Sequence, residues 1–313
     1  MKPREFAAGS VLLLILLILL FAAPSFFSPA NLLDLLLNSA PAMLVALGMT
    51  LVILAGHIDI SVGSQFAIAS VAAGLLAKSG LPMPLVGIAV LATGAMLGAL
   101  NGLLVTGFRI PSIVVTLATM IALRDFLRWT TEGAWVQNLP PSFQWAGLGQ
   151  PAGSALILAK TVFIVLLTAW ALRNLSAGRQ LFATGSNPAA AILAGIPTDR
   201  IVTAVFVLMG VLTAAAAMLN AIRFSDVPGN PGAGLEMKAI AAAVVGGASI
   251  TGGRASVLGT VIGVLLLSVI GNALTYLGIN PYWEKAVQGV ILMAAAASEA
   301  AHAKSAEGAY AAR

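Results

Sequence analysis

Long, nearly uninterrupted apolar runs dominate this sequence and constrain its fold more than any other feature. Hydrophobic residues make up 59% of the 313-residue chain, whereas charged residues make up only 9%. A soluble domain carries roughly 25% charged residues, so a soluble protein of this composition could not cover its surface with polar groups. We therefore predict that lipid surrounds most of the chain.

The apolar runs predict helices rather than a β-barrel. In lipid every backbone donor and acceptor must be paired internally, so only helices and closed barrels can span a bilayer. Barrel strands read as short alternating segments, but these runs are continuous and rich in Leu, Ala, Val and Gly. We predict an all-α integral membrane protein, a bundle of about ten transmembrane helices. The predicted spans are residues 9–27, 41–56, 61–78, 85–107, 112–129, 155–172, 201–222, 235–250, 257–277 and 282–297.

Residues 1–313 are predicted to form a single membrane domain, because ten spans of about 20 residues leave no room for a soluble one. Ten crossings place both ends on one side of the membrane, and the Lys and Arg bias predicts that this side is cytoplasmic. The N-terminus (1–8), a polar loop (173–200) and a flexible tail (298–313) are predicted to lie there. The first apolar run also resembles a signal peptide, but the apolar segments that follow favour an uncleaved helix.

No pattern typical of an enzyme active site occurs in the sequence. Its only histidines are His57 and His302, and the absence of cysteine excludes disulfides and thiolate metal sites. There is no G-x-x-x-x-G-K-[ST] motif, so the chain cannot bind a nucleotide by a P-loop. The net charge of +5 comes from scattered Lys and Arg, which indicates membrane flanks rather than nucleic-acid binding. We predict a transport protein that is not an enzyme and binds no metal or cofactor.

The first polar motif lies at residues 56–64 and contains Asp59, Ser61 and Gly63. Asp59 could cap the following helix, because side-chain oxygens pair with the free N–H groups of a first turn. Gly63 would permit close packing. Since ionisable residues near a bilayer are also functional candidates, a functional role for Asp59 is the alternative to this structural motif.

The second motif, residues 178–197, predicts a short helix within the polar loop. Ser186 or Asn187 precedes Pro188, which suits a first helical turn. Gly195 is a natural helix stop. A short exposed helix with an apolar face is typical of a docking element, and an interfacial helix lying on the membrane is the alternative.

The third motif, residues 228–259, is rich in glycine. Glu236 stands at the start of a predicted helix, where its charge suits the helix dipole. Adjacent glycine pairs, one of them Gly252 and Gly253, indicate a broken or closely packed helix. Broken helices often mark transport sites, and capping with packing is the alternative interpretation.

Glycines also recur every four residues at Gly94, Gly98 and Gly102. This spacing lets helix backbones approach closely in lipid. We therefore predict tight helix packing along this face rather than a ligand site.

The three motifs together resemble the ribose-type permeases of bacterial ABC importers, a group that also includes branched-chain amino-acid permeases. Residues 56–64 match a GGIDLSVGS-like segment, with His57 where the family usually has Gly, and residues 183–196 and 232–259 match two further motifs. The similarity extends over nearly the whole chain. It implies about ten helices per subunit and a path between two permease subunits, identical or homologous, in the bacterial inner membrane.

The resemblance also implies partners. These are a cytoplasmic ATPase subunit, which binds ATP and Mg, and a periplasmic or extracellular substrate-binding protein. In this family the loop that matches residues 183–196 docks onto the ATPase, so the loop 173–200 is expected to couple the two chains. The coupling residues implied are Gly185, Asn187, Pro188, Ala190, Gly195 and Ile196.

Within the family, residues 110–114, 124–125, 132–136 and 234–238 look most like rhamnose-type or autoinducer-2-type permeases. Both types carry small polyhydroxylated molecules. We expect import of a rhamnose-like sugar, with autoinducer 2 as the alternative. An ion-coupled secondary transporter is a further alternative, but it would need ionisable residues deep in the bundle.

Four polar residues stand inside predicted apolar spans and are candidates for lining the translocation path. Hydrogen bonds between helices would explain them equally well. They are Asn101, Thr116, Asn220 and Asn272.

Overall fold

The computed structural model describes residues 3–280, 282–291, 293, 294 and 297. Within these residues the chain is all-α, as predicted, and its only β pairing is an isolated bridge between Val136 and Val227. The predicted tail 298–313 lies outside the described residues, and most of residues 1–8 belongs to the first helix. The helices are α1 (Pro3–Ala22), α2 (Pro29–Leu54), α3 (Val62–Lys78), α4 (Met83–Gly107), α5 (Ser112–Thr131), α6 (Gln150–Asn174), α7 (Ser176–Ser186), α8 (Pro188–Leu193), α9 (Thr198–Ala221), α10 (Leu235–Val245) and α11 (Val257–Tyr276), with 3-10 turns at Pro24–Phe27 and Gln144–Gly147. Residues 283–291 are also helical.

Six of the described helices are long and apolar enough to cross a membrane, namely α1, α2, α4, α6, α9 and α11. The apolar helix α3 is shorter, and α5 carries three charged residues, Arg124, Asp125 and Arg128. Helix α10 has only 11 residues, which is about 16 Å at 1.5 Å per residue and too short for the bilayer core. The predicted count of ten spans is therefore not confirmed, and the predicted span 235–250 contains a helix too short for a complete crossing.

Helix α2 is the central helix of the bundle and differs from its prediction. The sequence predicts an amphipathic stretch and then a span that begins at Pro41, but one helix runs from Pro29 through Pro41 to Leu54. Every residue from Ser39 to Leu54 is buried, against α6, α9, α10 and α11. Proline removes one backbone donor, but neighbouring helices in a membrane bundle can hold such a helix together.

The glycines of α4 bring its backbone against that of α9, as their spacing predicts. A Cβ at Gly94 would overlap the carbonyl oxygen of Gly210 on α9, and a Cβ at Gly98 would overlap that of Phe206. The backbones of α4 and α9 therefore touch directly, as is usual where small residues face each other in lipid.

Candidate coupling and translocation site

The polar loop folds into two short helices, α7 and α8. Asn187 is the N-cap of α8, and its Oδ1 accepts a hydrogen bond from the backbone N–H of Ala190 at 3.0 Å. Pro188 follows in the first turn, and Gly195 takes a φ of +79° just after the helix ends. The short helix predicted from this motif is confirmed, with Asn187 rather than Ser186 as its cap.

Helix α8 presents apolar side chains outward. Leu193 is 90% exposed and Ile192 is 59% exposed, whereas Ala191 packs against the rest of the protein. Of the predicted coupling residues, Asn187, Pro188, Ala190 and Gly195 are exposed, Ile196 is half-buried and Gly185 is buried. The set therefore divides into an outer surface on and after α8 and one inner position on α7.

Gly185 lies where the three sequence motifs meet. The carbonyl oxygen of Leu54, at the end of α2, accepts a hydrogen bond from the N–H of Gly253 at 3.0 Å. A Cβ at Gly185 would overlap that oxygen and lie 2.7 Å from the nitrogen of Gly253. We call this cluster the glycine junction. It consists of Leu54, Gly56, Gly185, Ser186, Gly252 and Gly253.

The glycine junction requires residues without side chains on all three segments. Gly252 and Gly253 have φ values of +90° and +72°, a region that L side chains rarely adopt. A Cβ at Gly252 would lie 2.9 Å from the Cα of Gly56, and one at Gly253 would lie 2.6 Å from Oγ of Ser186. Backbone therefore touches backbone where α7, the end of α2 and the turn before α11 meet.

A buried polar cluster, the Asp59 network, follows the junction in the connector between α2 and α3. Asp59 is fully buried, and its Oδ1 accepts hydrogen bonds from the N–H of Ser61 at 2.9 Å and from Ser61 Oγ at 2.6 Å. Gln65 Nε2 donates to Asp59 Oδ2 at 3.2 Å and to Ser61 Oγ at 2.7 Å. Asn101 Nδ2, from α4, donates to Ser61 Oγ at 2.8 Å. The Asp59 network consists of Asp59, Ser61, Gln65 and Asn101.

The predicted capping role of Asp59 needs correction. Ser61 is the N-cap of α3, and its side chain makes no capping bond. Asp59 binds the N–H of Ser61 itself rather than an N–H of the first helical turn. The sequence reasoning also missed Gln65, although it lies four residues after Ser61 and therefore on the same helix face.

Gly63 brings the first motif against the third. A Cβ at Gly63 would overlap Oε2 of Glu236, and it would lie 2.9 Å from the carbonyl oxygen of Gly232 and 3.3 Å from Nη2 of Arg124. Glu236 Oε1 accepts the N–H of Gly234 at 3.2 Å, as expected for an acidic residue at a helix start. The close packing predicted for Gly63 is confirmed.

Two adjoining cavities lie on the far side of the bundle from α8, toward the first half of α2. The larger has a volume of about 650 Å³ and the smaller about 450 Å³. Both are lined by Asn38, Lys238 and Glu284, and Lys238 Nζ lies 3.6 Å from Glu284 Oε1. The ion pair between these two side chains therefore stands where the cavities meet.

The four candidate path residues do not come together. Asn220 lines the larger cavity, and Asn272 lines the smaller one while donating to Asn31 Oδ1 at 2.9 Å. Asn101 belongs to the Asp59 network. Thr116 is fully buried and donates to the carbonyl of Ser112 in its own helix at 2.8 Å.

Comparison with known proteins identifies the family. The profile of the family described as "Branched-chain amino acid transport system / permease component" matches residues 31–296. An autoinducer 2 import system permease protein LsrC from Enterobacter sp. (strain 638) is 36% identical over 94% of this chain and 85% of that protein. LsrC from Escherichia coli (strain K12 / DH10B) is 35% identical over 90% of this chain and 84% of its own length. No solved structure gives a significant match. The chain therefore belongs to this permease family of ABC importers and is a multi-pass protein of the bacterial inner membrane.

Proposed function

We propose that this chain is the permease subunit of an ATP-driven importer for a small polyhydroxylated molecule, with autoinducer 2 as the favoured substrate. Relatives that align over at least nine tenths of the chain are named for autoinducer 2 import, which favours this substrate over the rhamnose-like sugar. The observation that carries the importer mechanism is the glycine junction, because it joins the exposed loop bearing α8 to the ends of two long helices.

In the proposed mechanism, α2 transmits movement from the junction to the cavities. Its last residue, Leu54, belongs to the junction, whereas Asn31 and Asn38 near its start line the cavities. Its 26 residues form one continuous helix about 39 Å long. A push on α8 therefore reaches α2 through Gly185 and changes the shape of the cavities at the opposite end.

The proposed importer needs three partners. A separate ATPase binds ATP and Mg, since the sequence has no P-loop. A substrate-binding protein delivers the ligand, and a second permease, identical or homologous, completes the path.

Affinity purification from native membranes in mild detergent tests this assembly. We expect a P-loop ATPase and a second permease to co-purify with the tagged chain. The purified complex, reconstituted in vesicles with its binding protein, should take up labelled autoinducer 2 when ATP is supplied. Unlabelled rhamnose should not inhibit this uptake. Uptake that runs on an ion gradient without ATP would overturn the importer, and competition by rhamnose alone would overturn only the substrate.

Replacing the exposed apolar pair of α8 should separate the permease from the ATPase. The double variant Ile192→Asp, Leu193→Asp places two charges on the surface where these side chains are 59% and 90% exposed. Burying unpaired carboxylates in an interface is costly, so we expect at least about a tenfold loss of co-purified ATPase, or 1.4 kcal/mol. The control is Leu148→Asp, since Leu148 is 56% exposed in a different loop. Full ATPase recovery with the double variant would place the docking surface elsewhere.

The cavities predict different roles for two of the candidate path residues. Asn220→Leu removes a polar group from the larger cavity, and we expect about a fivefold rise in the KM of uptake, since one hydrogen bond contributes about 1 kcal/mol. Thr116→Val should change the KM little, because Thr116 lines neither cavity and its hydroxyl donates mainly to the carbonyl of Ser112 in its own helix. Equal KM values for the two variants would remove Asn220 from the path.

A further inference from the structure

The carboxyl group of Asp59 is buried without a compensating cation. Its exposed fraction is 0%, and it forms no ion pair with any residue that the structure describes. An isolated ionised carboxylate in an apolar interior is strongly unfavourable unless it is paired or coordinates a metal. The three hydrogen bonds to this carboxylate, two from Ser61 and one from Gln65, reduce this cost but do not neutralise the charge.

The Asp59 network also has more acceptors than donors. Gln65 Oε1 and Asn101 Oδ1 are buried, and neither accepts a hydrogen bond from a described residue. The amide nitrogen of each side chain donates to Ser61 Oγ, so each free oxygen lies at the edge of the same cluster. Turning either amide over would place its oxygen against Ser61 Oγ, whose only proton is already donated to Asp59, so the present orientation is favoured.

One buried cation lies close to this connector, the guanidinium of Arg124, and it forms no ion pair with any residue that the structure describes. Arg124 on α5 and Glu236 on α10 both face Gly63, each with an atom close to the position that a Cβ would take there. Nη2 of Arg124 and Oε2 of Glu236 have no hydrogen-bond partner among the described residues, so the two charges are equal in number but do not form an ion pair. Asp59 adds a second carboxylate to this part of the bundle, which leaves one negative charge in excess.

We propose that the Asp59 network binds one alkali-metal cation. Asp59 supplies the charged ligand, and the free amide oxygens of Gln65 and Asn101 supply neutral oxygen ligands. Hard cations prefer oxygen ligands, and carbonyl and carboxylate oxygens bind such ions in membrane transporters. A monovalent ion neutralises one carboxylate, whereas a divalent ion would leave a buried positive charge.

The position of the ion gives it a specific consequence. It ties the connector after α2 to α4 through Asn101, only a few residues from Gly56 of the glycine junction. The bound ion therefore stiffens the segment that receives the movement of α7. This inference does not depend on the identity of the imported substrate.

Thermal unfolding of the purified full chain in detergent tests the proposal. Sodium or potassium chloride is titrated against choline chloride at constant ionic strength, because an ion that binds only the folded state raises the unfolding midpoint with concentration. We expect a rise of a few degrees with one of the two ions for the wild-type chain and for Asp125→Asn, which removes an exposed carboxylate. Asp59→Asn should lose the rise. A rise that persists unchanged in Asp59→Asn would overturn the site.

Direct binding keeps the proposal testable if Asp59→Asn does not fold. A scintillation proximity assay with radioactive sodium measures sodium binding to the wild-type chain. Displacement of the bound sodium by potassium measures potassium binding. We expect saturable binding, and a Kd at least about tenfold higher for Asn101→Ala, as for the loss of one oxygen ligand worth about 1.4 kcal/mol. If neither ion binds or shifts the wild-type unfolding midpoint, the network holds no alkali-metal site and the proposal is wrong.

Discussion

Replacing Gly185 with Ala should reduce ATP-driven uptake by at least about tenfold while leaving the ATPase bound. The new Cβ would overlap the carbonyl oxygen of Leu54 and lie 2.7 Å from the nitrogen of Gly253, so the hydrogen bond between those two residues, now 3.0 Å, must break. A tenfold loss corresponds to about 1.4 kcal/mol, which is near the contribution of one hydrogen bond. Uptake into vesicles and ATPase co-purification measure the two effects separately.

Gly87→Ala is the matched control for this experiment. It makes the same substitution within a helix, but a Cβ at Gly87 has no neighbour within 4 Å. Alanine is about 1 kcal/mol better than glycine in a helix, so this variant should be stable and should transport at the wild-type rate. Wild-type uptake by Gly185→Ala would show that movement does not pass through the glycine junction.

Gly98→Val should produce the largest loss of stability, about 3 kcal/mol or more. Its side chain would overlap the Phe206 carbonyl oxygen and approach the Cα of Val207 to 3.0 Å. Both are backbone atoms, so the clash cannot be relieved by rotating a side chain, and overpacking of this kind costs 1–3 kcal/mol or more. The thermal unfolding midpoint and the yield of folded protein in detergent measure the effect.

The same substitution at Gly87 provides the comparison within one helix. Gly87→Val also places a β-branched residue in α4, but its side chain enters open space. The difference between the two variants therefore isolates the contact between α4 and α9 from helix propensity. Equal unfolding midpoints would show that this contact does not determine stability.

Several features of this protein could be predicted because they depend on composition or on neighbours in the chain. The scarcity of charge required a lipid environment, and backbone pairing in lipid then required helices. Asn187, Pro188 and Gly195 predicted a short helix and its ends, because a cap, a first turn and a stop are local geometries. The spacing of Gly94 and Gly98 predicted close packing, because residues four apart share one face of a helix.

Other features depend on partners that are distant in sequence. Helix α2 continues through Pro41 because surrounding helices bury it, and nothing within the segment itself predicts this. Helix α10 stops after 11 residues, although its apolar composition continues into the following turn. Hydropathy did not predict this helix end, because it measures preference for lipid and does not report where a backbone turns.

The sequence alone determined the class of the molecule, its membrane environment and the three motifs that carry its family likeness. Only the tertiary structure showed that these motifs meet, with Leu54, Gly185 and Gly253 in direct backbone contact. It also separated Asn101, which belongs to a buried network, from Asn220, which lines a cavity. The physical reason is that an apolar run specifies burial but not the neighbour against which it is buried, and that choice is made by packing the whole bundle at once.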